Sequence, residues 1–187
     1  MTRIISGRAG SITLEVPDAG TRPTSDRVRE SLFGALESAE ALQGAAVLDL
    51  YAGSGALGLE AISRGAASAD LVEKSPRAAA VVERNAAKVA KSVGRDAAIR
   101  VHRTPVAAFL GGPRGPYDLV LIDPPYDLGE GELTDALALV VPSLADSATV
   151  VVERAARSPR PTVPPGLVHT RDKRYGDTTL WWVRAAD

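Results

Sequence analysis

The sequence predicts an α/β fold: a doubly wound, seven-stranded, mostly parallel sheet preceded by a small β-hairpin and a helix. Three observations carry this expectation. Short apolar runs alternate with segments of helical period at the spacing of βαβ units. The run 117–122, Tyr-Asp-Leu-Val-Leu-Ile, is apolar almost throughout, as a strand covered on both faces is. Finally, Val47-Leu48-Asp49-Leu50-Tyr51 feeds Gly53-Ser54-Gly55 and then a stretch of Ala, Leu and Ile at helical spacing. A strand entering a glycine turn and a helix is the opening of a nucleotide-binding sheet: glycines let backbone approach a ligand, and the helix start offers unpaired N–H groups.

From the N-terminus, residues 3–6 and 11–16 read as strands joined by Gly7-Arg8-Ala9-Gly10. After a stop at Pro17-Asp18-Ala19-Gly20, Thr24 or Ser25 caps a helix whose apolar stripe runs Val28, Leu32, Leu36, Ala39 and Leu42, with Asp26 at the positive end of its dipole. Beyond the opening strand and helix, residues 69–73 form a second strand. Ser75-Pro76 starts a helix to about residue 92 that buries Ala78, Val82, Ala86 and Val89. Residues 98–102 are a third strand, 106–110 a short helix, 117–122 the central strand, and 130–141 a helix turning Leu133, Leu137 and Val140 inward. Strands at 147–153, 167–171 and 178–184 complete the sheet. In such a fold the ligand lies at the C-terminal strand ends, so Gly53, Glu73, Thr104 and Asp123 fall on one rim.

Composition narrows the function. The 187 residues, 45% hydrophobic, suffice for one domain with a full core. The absence of cysteine excludes disulfides, thiolate metal sites and cysteine nucleophiles, and suits a reducing compartment. No apolar run reaches the length of a membrane span, so the expectation is a cytoplasmic protein without a membrane partner. The net charge of −1 hides an uneven distribution: residues 1–30 carry +1, 31–152 carry −5 and 153–187 carry +3.

The chemistry rests on two motifs. Gly53-x-Gly55-x-x-Gly58, with Glu73 at the end of the next strand to accept ribose hydroxyls, fits NAD and S-adenosylmethionine equally. Asp49, inside the strand before the turn, favours a ligand with a cationic amino-acid end. The second motif, Asp123-Pro124-Pro125-Tyr126, follows the central strand on the same rim, where two prolines fix a rigid, projecting turn. It offers the Asp123 carboxylate, the Pro124 carbonyl and the Tyr126 ring. An exocyclic nucleobase amine needs that set: two acceptors hold its hydrogens and aim its lone pair at a methyl group, while the ring stacks the displaced base. This chemistry needs no metal.

These two motifs together resemble class I S-adenosylmethionine-dependent amino-methyltransferases, whose fold is Rossmann-like. With Arg3-Ile4-Ile5-Ser6-Gly7 and Arg22-Pro23-Thr24-x-x-Arg27-Val28-Arg29-Glu30-Ser31-Leu32-Phe33, the chain resembles over nearly its whole length the RsmD-type bacterial enzymes, which methylate guanine N2 in small-subunit ribosomal RNA. The resemblance implies a hairpin extension over 1–22 and a methyltransferase domain over 23–187. It assigns the cofactor to Asp49, Tyr51, Ala52, Gly53, Ser54, Gly55, Leu57, Glu73, Lys74 and Asp123, with Arg103 and Thr104 beside the adenine. It gives the target guanine to Asp123, Pro124, Pro125 and Tyr126, and assigns RNA contacts to Arg8, Arg22, Thr24, Arg27 and Arg29. Arg171, Lys173 and Arg174 are expected to reach phosphates from the other side. The expected partner of this monomer is ribosomal RNA, within a small-subunit particle.

Three other readings compete. A DNA amino-methyltransferase uses the same turn, but this chain lacks room for a separate target-recognition domain; cytosine C5 methylation is excluded without a cysteine. A nicotinamide-dependent oxidoreductase leaves residues 123–126 without a task. A non-catalytic RNA-binding module leaves the complete acceptor turn unexplained.

Overall fold

The N-terminal segment is bolted to the domain by polar contacts rather than by a long sheet. In the computed structural model, which describes residues 2–17, 25–94 and 97–186, β1 (Thr2–Arg3) pairs antiparallel with β2 (Thr13–Leu14). Both strands are shorter than the sequence predicts. The turn between them, with Gly7 and Ser11 at positive φ, spends its N–H groups elsewhere. Ile5 and Ser6 donate to the buried Glu60 carboxylate at 2.7 and 3.0 Å, and Arg8 N–H donates to the Ser63 carbonyl at 2.8 Å. A Cβ on Gly7 would lie 2.0 Å from that carbonyl oxygen, so only glycine permits the approach.

Ser25 caps α1 (Asp26–Ser38) by accepting from Val28 N–H. The helix stops before the predicted stripe ends: Glu40 takes a left-handed φ of 54°, Ala39 is exposed, and Leu42 reaches the core from the following loop. The domain then alternates β3 (Ala46–Leu50), α2 (Ala56–Ser63), β4 (Ser68–Val72), α3 (Pro76–Val93), β5 (Ala98–His102), α4 (Val106–Leu110), β6 (Tyr117–Ile122) and α5 (Glu130–Val140). It ends with β7 (Leu144–Ala155), β8 (Leu167–Tyr175) and β9 (Thr178–Ala185), all longer than the strands predicted there.

The sheet order is β5-β4-β3-β6-β7-β9-β8, with β3 to β7 parallel and β9 antiparallel to both of its neighbours. Helices cover both faces. Leu32 and Phe33 of α1, Leu59 and Ile62 of α2 and Val82 and Val89 of α3 form one core with Ile4, Ala9 and Leu14 of the N-terminal segment; Phe109, Leu133, Leu137 and Val140 form the other. The chain runs outward from β3 to β5, then returns to place β6 on the other side of β3. That reversal opens a crevice at the C-terminal ends of β3, β4 and β6.

One polar cluster lies within the strands. Asp70 receives Arg100 in a two-pronged pair (2.8 and 2.9 Å), the Tyr117 hydroxyl at 2.9 Å and contacts His102 Nε2 at 2.7 Å. Burial pushes the Asp70 carboxyl up, but hydrogen bonds from Arg100, His102 and Tyr117 outweigh it and hold it at about 2. His102, at the end of β5, is one member of this cluster.

Candidate active site

A cavity of about 250 Å³ occupies the crevice. Its floor is the turn after β3, which owes its shape to positive φ at Tyr51 (63°), Gly53 (59°) and Gly55 (79°). Gly55 is the N-cap of α2 and turns the chain without lining the cavity. Gly58 brings α2 against the sheet: a Cβ there would lie 2.2 Å from Leu71 Cδ2. The same residue donates its N–H to Asp49 Oδ2 at 2.9 Å.

Asp49 lines the cavity yet is 1% exposed, and its Oδ1 has no hydrogen-bond partner among the described residues. Burial pushes its carboxyl up to about 7; the Gly58 N–H works against that, and the charges of Asp123 and Glu73 reinforce it. Glu73 lies one strand over. Its Oε2 accepts the Gly53 N–H at 3.0 Å and its Oε1 the Ser75 N–H at 2.8 Å, which ties the glycine turn to the start of α3. Each oxygen keeps a lone pair for a ligand hydroxyl.

The opposite wall is the turn after β6. Pro124 is buried, Asp123 half-buried, and Tyr126 is 60% exposed, presenting its ring at the mouth. The Pro125 carbonyl accepts the Leu128 N–H at 3.0 Å, closing the turn. Tyr51, Ala52, Ser54, Leu57 and Lys74 complete the predicted cofactor residues that line the space.

Several predicted site residues lie elsewhere. Arg103 is exposed and Thr104 half-buried, and neither lines the cavity; Val106, at the start of α4, does so instead. Val106 lies beyond β5, in the first turn of α4, so the helix start rather than the strand exit supplies this wall. Arg8 is at the far end of the domain, where its guanidinium donates to the Val93 carbonyl at the end of α3. Arg29 is wholly buried, so it is no surface phosphate contact, and it lines the cavity. Arg27 is exposed on α1. Arg22 and Thr24 lie outside the described residues.

Val16, Pro17, Val72 and Ala56 also border the cavity, and sequence reasoning missed them. Val16 and Pro17 carried one available signal, an apolar strand end leading to a proline stop. Among the described residues no group of three His, Asp or Glu is placed to hold a metal, and no helix is long and apolar enough to cross a membrane.

The strand order, the glycine turn and the crevice define a protein of the class I methyltransferase fold, Rossmann-like in architecture. Residues 2–184 match the family model described as Conserved hypothetical protein 95. Ribosomal RNA small subunit methyltransferase D of Escherichia coli is 39% identical over 175 residues, 93% of this chain and 85% of its own length. YlbH of Bacillus subtilis is 34% identical over 184 residues, covering 94% of this chain and 95% of its own. The solved structure of Escherichia coli yhhF superposes with a TM-score of 0.84 at 35% identity, covering 98% of this chain and 97% of that one. The chain belongs to this family of RsmD-type methyltransferases.

Proposed function

We propose that the protein transfers a methyl group from S-adenosylmethionine to the exocyclic N2 amine of a guanine in small-subunit ribosomal RNA. The observation that carries the reading is the sharing of one cavity by the glycine turn, the unpartnered Asp49 oxygen and residues 123–126. The donor set suits this cofactor: an acid oxygen for an ammonium, a second acid for ribose hydroxyls, and glycine backbone that leaves room between them. Asp49, Gly53, Ser54 and Glu73 would hold the methionine and ribose end, with Val72 and Val106 against the adenine.

When bound, the cofactor supplies an electrophilic sulfonium methyl. The protein's part is positioning. The Asp123 carboxylate and the Pro124 carbonyl accept the two amine hydrogens, which draws the nitrogen toward tetrahedral geometry and frees its lone pair for in-line attack. The prolines hold the two acceptors at a fixed separation, and Tyr126 stacks the flipped base. After transfer the amine carries a surplus proton beside Asp123, which accepts it or passes it to water.

Exposed cations flank the cavity. Arg77, Arg84, Lys88 and Lys91 share one face of α3, a stripe about 21 Å long at 1.5 Å per residue, with Lys74 at its cavity end. Glu15 neutralises part of it through Arg84 at 2.8 Å and Lys88 at 3.0 Å. A groove between this face and residues 13–17 shares Val16, Pro17, Gly53 and Glu73 with the cavity. The stripe and Arg171, Lys173 and Arg174 of β8 would contact phosphates on either side of a displaced base. The reading includes a monomer in the cytoplasm acting on RNA within a small-subunit particle.

Labelled methyl transfer onto unmodified small subunits, deproteinised ribosomal RNA and DNA in parallel, followed by nucleoside analysis, tests this. N2-methylguanosine from the ribosomal substrates is expected. Label in N6-methyladenine or N4-methylcytosine of DNA would overturn it.

A further inference from the structure

The N-terminal hairpin delivers a carboxylate into the basic face of α3. Glu15 directly follows β2. Its Oε2 accepts from both Nε and Nη2 of Arg84 at 2.8 Å, and its Oε1 accepts from Lys88 Nζ at 3.0 Å. All three side chains are about half exposed, and an ion pair that wet adds little to stability. Hydrogen bonds from Lys88 and Arg84 hold the Glu15 carboxyl below the usual carboxylate range, so it is ionised at neutral pH.

Glu15 is also kept from drifting away from these cations. Asn85, wholly buried on α3, accepts the Glu15 N–H through Oδ1 and donates through Nδ2 to the Glu15 carbonyl, each at 2.9 Å. The amide imitates a neighbouring strand by satisfying both backbone groups of one residue. The same Nδ2 donates to the Ser54 carbonyl of the glycine turn at 2.9 Å. The Glu15 backbone is thereby fixed between that turn and α3, while its side chain stays free to rotate.

What the carboxylate occupies has the geometry of a phosphate site. A phosphodiester presents two unesterified oxygens that share one negative charge, as a carboxylate does, and a guanidinium edge beside an ammonium matches either. The concavity around it suits a strand of nucleic acid. A groove of about 1020 Å³ between residues 13–17 and α3 is lined by Arg77, Arg84 and Lys88, and it shares Val16, Pro17, Gly53 and Glu73 with the candidate active site. Arg77 stands two turns before Arg84, about 10 Å along the helix, on the side of the cavity.

We propose that this groove holds the single strand of RNA beside the displaced base, and that Glu15 is a built-in competitor for one of its phosphates, released when the strand takes over Arg84 and Lys88. This deepens the RNA reading above and rests on it. Because the carboxylate is tethered, it competes at a high effective concentration against any polyanion that touches this face. Glu15 lowers the affinity of every RNA by a similar factor. Strands held by charge alone are then bound too weakly to fill the groove, whereas a strand that also seats a base in the cavity keeps enough affinity.

Binding of a short labelled single-stranded RNA, followed by fluorescence anisotropy over a salt series, tests this. Glu15→Gln keeps the size of the side chain and the backbone contacts of Asn85. It should tighten binding roughly 3- to 10-fold at low salt and steepen the slope of log K against log salt by about 0.7–1.4, the increment of one or two phosphate contacts on a single strand. In a double-mutant cycle, Arg84→Gln should cost at least about 3-fold more affinity in the Glu15→Gln background than alone, because Arg84 is already engaged in the wild type. Lys88→Gln should repeat the pattern. If Glu15→Gln leaves affinity and slope unchanged, or if its effect merely multiplies with those of Arg84→Gln and Lys88→Gln, Glu15 is an ordinary surface ion pair and the inference fails. If the wild type has no salt-dependent affinity for RNA, the RNA reading itself falls and takes this inference with it.

Discussion

Replacing Asp49 by Asn should change how stability depends on pH, in a direction fixed by burial. Below about pH 3 the carboxyl is protonated in both folded and unfolded chains and makes no difference. In the folded protein its titration is pushed from 3.8 to about 7, chiefly by burial. The folded state therefore binds the proton more tightly, and the penalty grows as pH rises through that window. The full shift is worth about 4 kcal/mol, of which roughly 2–3 kcal/mol falls between about pH 5 and pH 8. Asn keeps an acceptor for the Gly58 N–H and removes the ionisation. Urea unfolding across that range, fitted with a common m-value, should show the wild type losing roughly 2–3 kcal/mol more than Asp49→Asn. Parallel profiles would refute the reasoning, because they would mean that Asp49 is already ionised and solvated in the folded protein. A cation beside Oδ1 favours the ionised form, so ligand binding below pH 7 should also release a proton, measurable by calorimetry in buffers of different ionisation enthalpy.

Other outcomes follow from the same geometry. Asp123→Ala should abolish methyl transfer while leaving S-adenosylmethionine affinity within a few-fold, and Tyr126→Ala should lower turnover while moving stability by less than about 0.5 kcal/mol, since that ring is mostly exposed; single-turnover assays and urea melts separate the two effects. Asp70→Asn should cost roughly 2 kcal/mol at neutral pH, a difference from wild type that shrinks as pH falls from about 4 through about 2, where wild-type Asp70 itself takes up a proton; denaturant midpoints across that range check it. Reversing Arg77 and Lys91 to Glu together should weaken RNA binding and flatten its salt dependence without changing cofactor affinity, as filter binding over a salt series would show.

The contiguous motifs were legible in the sequence for a local reason. Gly53, Gly55 and Gly58 stand within six residues, and Asp123 to Tyr126 within four, so strand, turn and helix start are set by neighbours in the chain. The alternation of short apolar runs with helical segments likewise located the parallel strands, most plainly the central β6, which helices cover on both faces; the edge strand β5, with Arg100 and His102, is mixed. Glu73 needed only the end of the next strand to be located. β8 was underestimated because Asp172, Lys173 and Arg174 are exposed and polar, and apolar periodicity does not mark them.

What tertiary structure alone decided is the destination of each charged side chain. Arg8, Arg27 and Arg29 look alike in sequence, three cations in a basic N-terminal stretch. Docking of Gly7 on Ser63 carries Arg8 to the far end of the domain, and α1 keeps Arg27 outside while rolling Arg29 into the cavity wall. Val106 took the place expected of Arg103 and Thr104 by the same kind of decision, made by where α4 begins against the sheet. A chain's local code states which backbone forms; the sign of the field at a point in space depends on which distant surfaces close over it, and no spacing along the chain contains that information.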